Sequence, residues 1–223
     1  MIRIVKDGYG PIAGSAIVFG APALLLAAAG RNGWAVVLGL LALVSVAFFV
    51  YFFRDPERTA PAGDELLVSG ADGVVRAVER VTESRYLKTE AVRISIFLNP
   101  FDVHVNRSPL GGTVKGLAYT PGKHLLTISN ASSEHNEHSC IYIENDRTRC
   151  LVKQIVGPVV RRVVYWLERE QVLNKGDRIG MMKFGSRMDI YLPADEVEVT
   201  VQKGDRVRAG ESVVATLRKE QSL

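Results

Sequence analysis

Four histidines, at 104, 124, 135 and 138, are the only imidazoles in this chain of 223 residues. No Gly-x-Ser-x-Gly, no phosphate-binding glycine loop and no His-Glu-x-x-His accompanies them. Ordinary hydrolase and nucleotide chemistry therefore lacks its anchors. What remains is a set of dense short motifs: Ser69-Gly70-Ala71-Asp72-Gly73; Asn99-Pro100-Phe101-Asp102-Val103-His104-Val105-Asn106-Arg107; Pro121-Gly122-Lys123; Asn136-Glu137-His138; and Phe184-Gly185-Ser186-Arg187. Each has an ordinary reading when taken alone. An Asp before Gly is usually a turn residue, a lone histidine is more often structural, and Phe-Gly-Ser-Arg is an unremarkable turn. Cys140 and Cys150 flank the turn Asn145-Asp146, so they fit facing strands. A disulfide is conceivable there, but reduced thiols are expected in a cytoplasmic domain. No His/Cys spacing matches a zinc site, and no metal is expected.

The elements that must position these motifs fall into two unlike parts. From Ile12 to Phe53 the only charged residue is Arg31, and Gly30-Arg31-Asn32-Gly33 divides the run into apolar segments at 12–29 and 34–53. A 20-residue helix spans roughly 30 Å, the thickness of a bilayer core. Residues 1–53 therefore read as a membrane hairpin, whose shorter first arm, carrying Gly20 and Pro22, is either re-entrant or kinked. A cleaved signal peptide is the weaker reading, because a second span follows directly. Arg3 and Lys6 before the hairpin, and Arg54 and Arg58 after it, outnumber Arg31, which places both ends in the cytoplasm. The net charge of +4 gives no reason to invoke a nucleic acid, and its use is in the basic residues at these flanks.

After a proline-bearing linker at 54–61, residues 54–223 read as mostly β. Short Val/Ile-rich runs at 73–78, 92–97, 140–143, 151–156 and 189–192 lie between glycine turns. Residues 159–167 fit a strand end better than a helix. Lys175-Gly176-Asp177-Arg178-Ile179 recurs as Lys203-Gly204-Asp205-Arg206-Val207. The pattern resembles the hairpins of lipoyl- and biotinyl-type barrel-sandwich folds, without their modifiable lysine tip. The repeat thus speaks to a barrel-sandwich-like fold and not to that function.

Taken in order, the motifs Ala-Asp-Gly, Asn-Pro-Phe-Asp-Val-His-Val-Asn-Arg, Pro-Gly-Lys, Asn-Glu and Phe-Gly-Ser-Arg resemble the phosphatidylserine decarboxylase family. The short form, with a membrane hairpin and a compact core, is the nearest in layout. The resemblance implies self-cleavage between Gly185 and Ser186 into a large chain, 1–185, and a small chain, 186–223, that stay associated. It implies that Ser186 attacks the Gly185 carbonyl and ends as a covalent pyruvoyl group, with no metal. That ketone would form a Schiff base with phosphatidylserine and release CO2, leaving phosphatidylethanolamine at the cytoplasmic face of the cell membrane. Such chemistry needs a small residue before the serine, a base for its proton and an oxyanion site.

By the same resemblance Asp72 and His104 join Ser186 as catalytic residues. Longer bacterial members use a second histidine three places on, where this chain has Arg107, so another histidine remains open as the base. His138 follows Asn136-Glu137 where the family usually has arginine. Arg107, Asn136, Glu137 and His138 are the substrate-binding candidates, and Arg161 and Arg162 are further candidates for the lipid phosphate. Whether the chain forms a homo-oligomer is left open. Two other readings stand beside this one: a non-enzymatic membrane-anchored adaptor on a barrel-sandwich domain, and a pyruvoyl decarboxylase of a soluble amino acid.

Overall fold

A computed structural model describes residues 3–123, 135–157, 163–183 and 186–218. The chain divides into two compact units, 1–57 and 58–223.

The first unit is a helical hairpin. Helical backbone runs over Lys6–Ala28 and again over Asn32–Phe52, and both runs are long and apolar enough to cross a membrane. The first begins at Lys6, ahead of the apolar run itself, which starts at Ile12. A five-residue π-turn over Ala16–Gly20 precedes Pro22, which falls in the first turn of the next helical stretch. Leu24, Leu25, Val36, Leu40, Leu43 and Val44 point outward, so the apolar surface of the hairpin is not consumed by packing. Its base is closed by two short strands, β1 (Arg3–Ile4) and β2 (Arg54–Asp55), with Arg3 opposite Asp55. The reading of 54–61 as linker is thus corrected at its start, where residues 54 and 55 extend this pairing.

The second unit is built of strands. In chain order they are β3 (Leu66–Val68), β4 (Gly73–Glu83), β5 (Thr89–Phe97), β6 (Val105–Arg107), β7 (Gly112–Thr120), β8 (His138–Glu144) and β9 (Arg149–Ile155). Then follow β10 (Val163–Tyr165), β11 (Val172–Leu173), β12 (Arg178–Met182), β13 (Arg187–Pro193), β14 (Val197–Val199), β15 (Arg206–Val207) and β16 (Val213–Leu217). A curled eight-stranded sheet runs β11-β7-β8-β9-β13-β5-β4-β15, beside three-stranded sheets β10-β12-β6 and β14-β16-β3. The mostly-β expectation holds. Alternation along β5 explains the layering: Val92, Ile94, Ile96 and Leu98 enter the main core with Met188, Ile190 and Leu192 of β13. Cys140 and Cys150, both reduced, lie on neighbouring strands but on opposite faces. Cys150 joins this core, and Cys140 joins a second cluster with Leu87, Leu151 and Tyr191.

The sequence repeat is also a structural repeat. The Asp177 carboxylate accepts the Asn174 N–H, and the Asp205 carboxylate accepts the Gln202 N–H. Gly176 N–H donates to the Ser108 carbonyl and Ser108 N–H to that of Asp177. Gly204 and Val75, then Val75 and Asp205, make the same two bonds. One copy therefore pins its Lys-Gly-Asp turn to Ser108, just past β6, and the other to Val75 in β4. Of the 159–167 segment, Val163–Tyr165 is strand, and Val159 to Arg162 lie outside the described residues.

Candidate active site

Strand register brings the motifs to one end of the large sheet. Arg206, Val74, Phe97, Arg187, Ile155, His138 and Thr120 face one another in a continuous row across seven strands. One or two residues beyond that row lie Asp72, Leu98, Ser186, Val156, Glu137 and Pro121. Five motifs far apart in sequence therefore end at the same edge. The row is fixed because a one-residue slip would turn the apolar set of every strand outward.

Ser186 is 1% exposed, and its Oγ has no hydrogen-bond partner among the described residues. Its backbone carbonyl accepts the Leu98 N–H at 3.0 Å, and the His104 carbonyl accepts the Met182 N–H at 3.2 Å. These two bonds tie the chain on either side of residues 183–185 to the 98–104 segment. Gly185 itself lies outside the described residues. His104 is fully buried, and its Nδ1 sits 3.0 Å from the Asp102 carbonyl. A carbonyl only accepts, so Nδ1 carries the proton and Nε2 is the basic nitrogen of the neutral ring.

The loop before His104 is shaped by Asp102. One carboxylate oxygen caps the Asn99 N–H at 2.8 Å, and the other accepts Arg206 Nη2 at 2.6 Å. Asp72 is gripped by Arg58, whose Nη1 and Nη2 reach its two oxygens at 2.5 and 2.8 Å, and it also accepts the Ala209 N–H. Arg58, read from sequence as a membrane flank, is thus a buried partner of Asp72. The adjoining glycine is required: at φ +149, a Cβ on Gly73 would lie 2.1 Å from the Phe97 carbonyl oxygen.

Pro-Gly-Lys and Asn-Glu belong to one crossing. Lys123 N–H donates to the His135 carbonyl and Glu137 N–H to that of Lys123. A Cβ on Gly122 would come within 2.5 Å of the Asn136 backbone, so only glycine permits the approach. Asn136 Nδ2 donates to the Val156 carbonyl.

A family model described as phosphatidylserine decarboxylase matches residues 46–215. The chain belongs to the phosphatidylserine decarboxylase family. Among its relatives, a phosphatidylserine decarboxylase proenzyme of Carboxydothermus hydrogenoformans is 48% identical over 187 residues, 84% of this chain and 86% of that protein. One from Desulfotalea psychrophila is 41% identical over 182 residues, 81% of this chain and 85% of that protein. One from Amoebophilus asiaticus is 36% identical over 224 residues, 99% of each.

In this family member the four substrate-binding candidates do not share one surface. Glu137 stands on the Ser186 side of the sheet. His138, one residue on, faces the other side and lines a 170 Å³ groove with Tyr86, Cys140, Lys153 and Tyr191. Burial lowers the His138 pKa, and its Nδ1 donates to the Asn136 carbonyl at 2.7 Å. Arg107 is buried and donates to the Gly176 carbonyl, within the Lys-Gly-Asp turn. Arg161, Arg162 and His124 lie outside the described residues. Sequence reasoning did not single out Arg187, whose guanidinium makes a bidentate, buried pair with Asp189 at 2.7 and 2.8 Å. It also missed a buried polar chain: Ser139 Oγ donates to Gln154 Oε1 at 2.7 Å, and Gln154 Nε2 donates to Asn106 Oδ1 at 2.6 Å. The available signal was Gln154 itself, a polar residue in line with the core-facing Cys150 and Val152 of β9.

Proposed function

We propose that this chain is a self-processing phosphatidylserine decarboxylase that cuts itself between Gly185 and Ser186 and then converts phosphatidylserine to phosphatidylethanolamine and CO2. The observation that carries this reading is the buried, uncommitted Ser186 hydroxyl, held where the chain is tied to the His104 segment. Such a hydroxyl is costly unless it has work to do, which fits a residue destined to become a pyruvoyl group.

In the cut, Ser186 Oγ bonds to the Gly185 carbonyl carbon and its proton passes to His104 Nε2. The peptide C–N bond breaks, and the Ser186 nitrogen takes a proton. Loss of the Cα proton of residue 186 expels the Gly185 carboxylate and leaves dehydroalanine. Water then displaces ammonia, giving the pyruvoyl end. Asp72 is the third member of the set, its carboxylate oriented by Arg58 and the Ala209 amide. A pyruvoyl group at residue 186 would supply a ketone able to take up the substrate amine and to draw electrons as CO2 leaves. Glu137, on the Ser186 side of the sheet, is suited to attract the ammonium of the incoming headgroup.

The two apolar helices would hold the second unit at the membrane that contains its substrate. Arg3, Lys6 and Arg54 lie together at the open end of the hairpin and Arg31 at its turn, which favours a cytoplasmic catalytic unit. Basic residues near an anionic leaflet contribute about 1 kcal/mol each.

Intact mass spectrometry tests the reading. Wild type should give two chains, 1–185 and 186–223, and Ser186→Ala a single chain of 223 residues. Phosphatidylserine vesicles should yield phosphatidylethanolamine only with the processed protein, and free serine should not be turned over. A single wild-type chain that does not react with hydroxylamine would overturn the proposal in favour of a membrane adaptor.

A further inference from the structure

The buried chain Ser139–Gln154–Asn106 ends in an amide whose oxygen alone is bonded among the described residues. All three side chains are fully buried. Gln154 presents N–H to Asn106, so Asn106 must offer its oxygen there and turn its Nδ2 elsewhere. That Nδ2 has no hydrogen-bond partner among the described residues. The Ser186 hydroxyl, also buried, is in the same condition.

The two groups share one interior. Gln154 lies opposite Met188, two residues along β13 from Ser186 and therefore on the same face of the sheet. Asn106 reaches that face from β6, which pairs with β12, the strand leading into residues 183–185. Asn106 also stands two residues from His104, which lies just ahead of β6. One short segment thus carries a basic nitrogen and, two residues on, a hydrogen-bond donor.

We infer that Asn106 is a catalytic residue of self-cleavage: its Nδ2 donates to the Gly185 carbonyl oxygen as that oxygen gains negative charge under attack by Ser186. Gln154 and Ser139 are positioning residues that hold the amide the right way round. The inference rests on the proposed role of Ser186. An amide preorganised in a dry site suits this task, because it stabilises developing charge without needing to reorganise. The reaction is the one written above; Asn106 forms no covalent bond and gives up no proton.

The test is the rate of appearance of chains 1–185 and 186–223, followed by intact mass on the full-length protein in detergent. Asn106→Ala and the near-isosteric Asn106→Asp should each slow the cut by about 10²–10³. Gln154→Leu should slow it less, and Gln154→Glu, which presents no N–H to Asn106 when ionised, should resemble Gln154→Leu. Far-UV circular dichroism and elution volume matching uncut Ser186→Ala establish that each variant is folded, and Asn106→Asp serves if the alanine variant aggregates. Added hydroxylamine cleaves an ester at residue 186 but not the Gly185–Ser186 peptide bond, so it should fail to restore cleavage there in the Asn106 variants. Processing of both Asn106 variants within a few-fold of wild type would overturn the inference, as would rescue by hydroxylamine. Absence of the cut in wild type would instead defeat the Ser186 reading itself.

Discussion

Arg58 holds both carboxylate oxygens of Asp72 while its Nη1 also donates to the Ala209 carbonyl, and Asp72 in return accepts the Ala209 N–H. The pair is nearly dry, with side-chain exposures of 7% and 13%. It joins the start of the second unit to the Ala-Asp-Gly turn and to the stretch between β15 and β16. Removing one partner of a buried pair leaves the other charge uncompensated, which costs about 3–5 kcal/mol. Arg58→Met should therefore lower the thermal midpoint of the Ser186→Ala precursor markedly, and Arg58→Met/Asp72→Leu should recover part of the loss. Equal midpoints for Arg58→Met and its parent would show that the pair is not stabilising.

Gly73 sets the geometry beside that pair. A side chain there meets the Phe97 carbonyl oxygen and must also adopt a left-handed φ. Backbone in such a region costs a non-glycine residue about 1–3 kcal/mol before the steric overlap is counted. Gly73→Ala should lower stability by at least that much and slow processing, because Val74 and Phe97 are in the row that carries Arg187. Chemical denaturation alongside intact mass would check both effects.

The thiols should be poor nucleophiles. Burial raises the pKa of Cys140 and, more strongly, that of Cys150. The thiolate is the reactive form. At pH 8 the folded protein should take up iodoacetamide slowly, at Cys140 first, and both sites should react once it is unfolded. Mass mapping of the alkylated peptides reads this directly. No intramolecular disulfide should form on mild oxidation, since the two side chains lie on opposite faces of the sheet.

His138 should make stability depend on pH. Burial lowers its folded-state pKa below the ordinary value of 6.5. Between the folded and unfolded values the unfolded chain binds more protons, so stability falls as pH drops from about 6.5 towards the folded pKa. Below that value the penalty stays constant. Thermal melts of Ser186→Ala between pH 7.5 and 5 should show this slope, and His138→Gln should reduce it. An unchanged slope in the variant would assign the acid sensitivity to other groups.

Much of this was legible in the sequence, for identifiable reasons. Alternating Val92, Ile94 and Ile96 marked β5, short apolar runs between turns marked β9 and β13, and the doubled Lys-Gly-Asp marked two turns with the same backbone bonds. The apolar run, with Arg31 as its one charge, marked the hairpin. What stayed hidden depended on pairing partners. Arg58 beside an apolar segment reads the same whether water or a carboxylate surrounds it. Glu137 and His138 are adjacent letters, but cross-strand register puts them on opposite faces, and register is a property of the assembled sheet. The chain from Ser139 through Gln154 to Asn106 joins three strands and has no spacing to detect.

Ser186 immediately precedes β13, which is hydrogen-bonded along its length to β5 and over most of it to β9. A cut before Ser186 would make the central strand of the large sheet the first element of a separate 38-residue polypeptide. The strands after it, β14, β15 and β16, are distributed over two sheets. The fragment could not leave without opening both flanks of β13 and exposing unpaired backbone on each side. The molecule would be assembled as one polymer and would operate as an interlocked pair. Once denatured it would have to reform by a second-order encounter between two chains, neither holding a complete core, so its refolding would depend on concentration where the first folding did not.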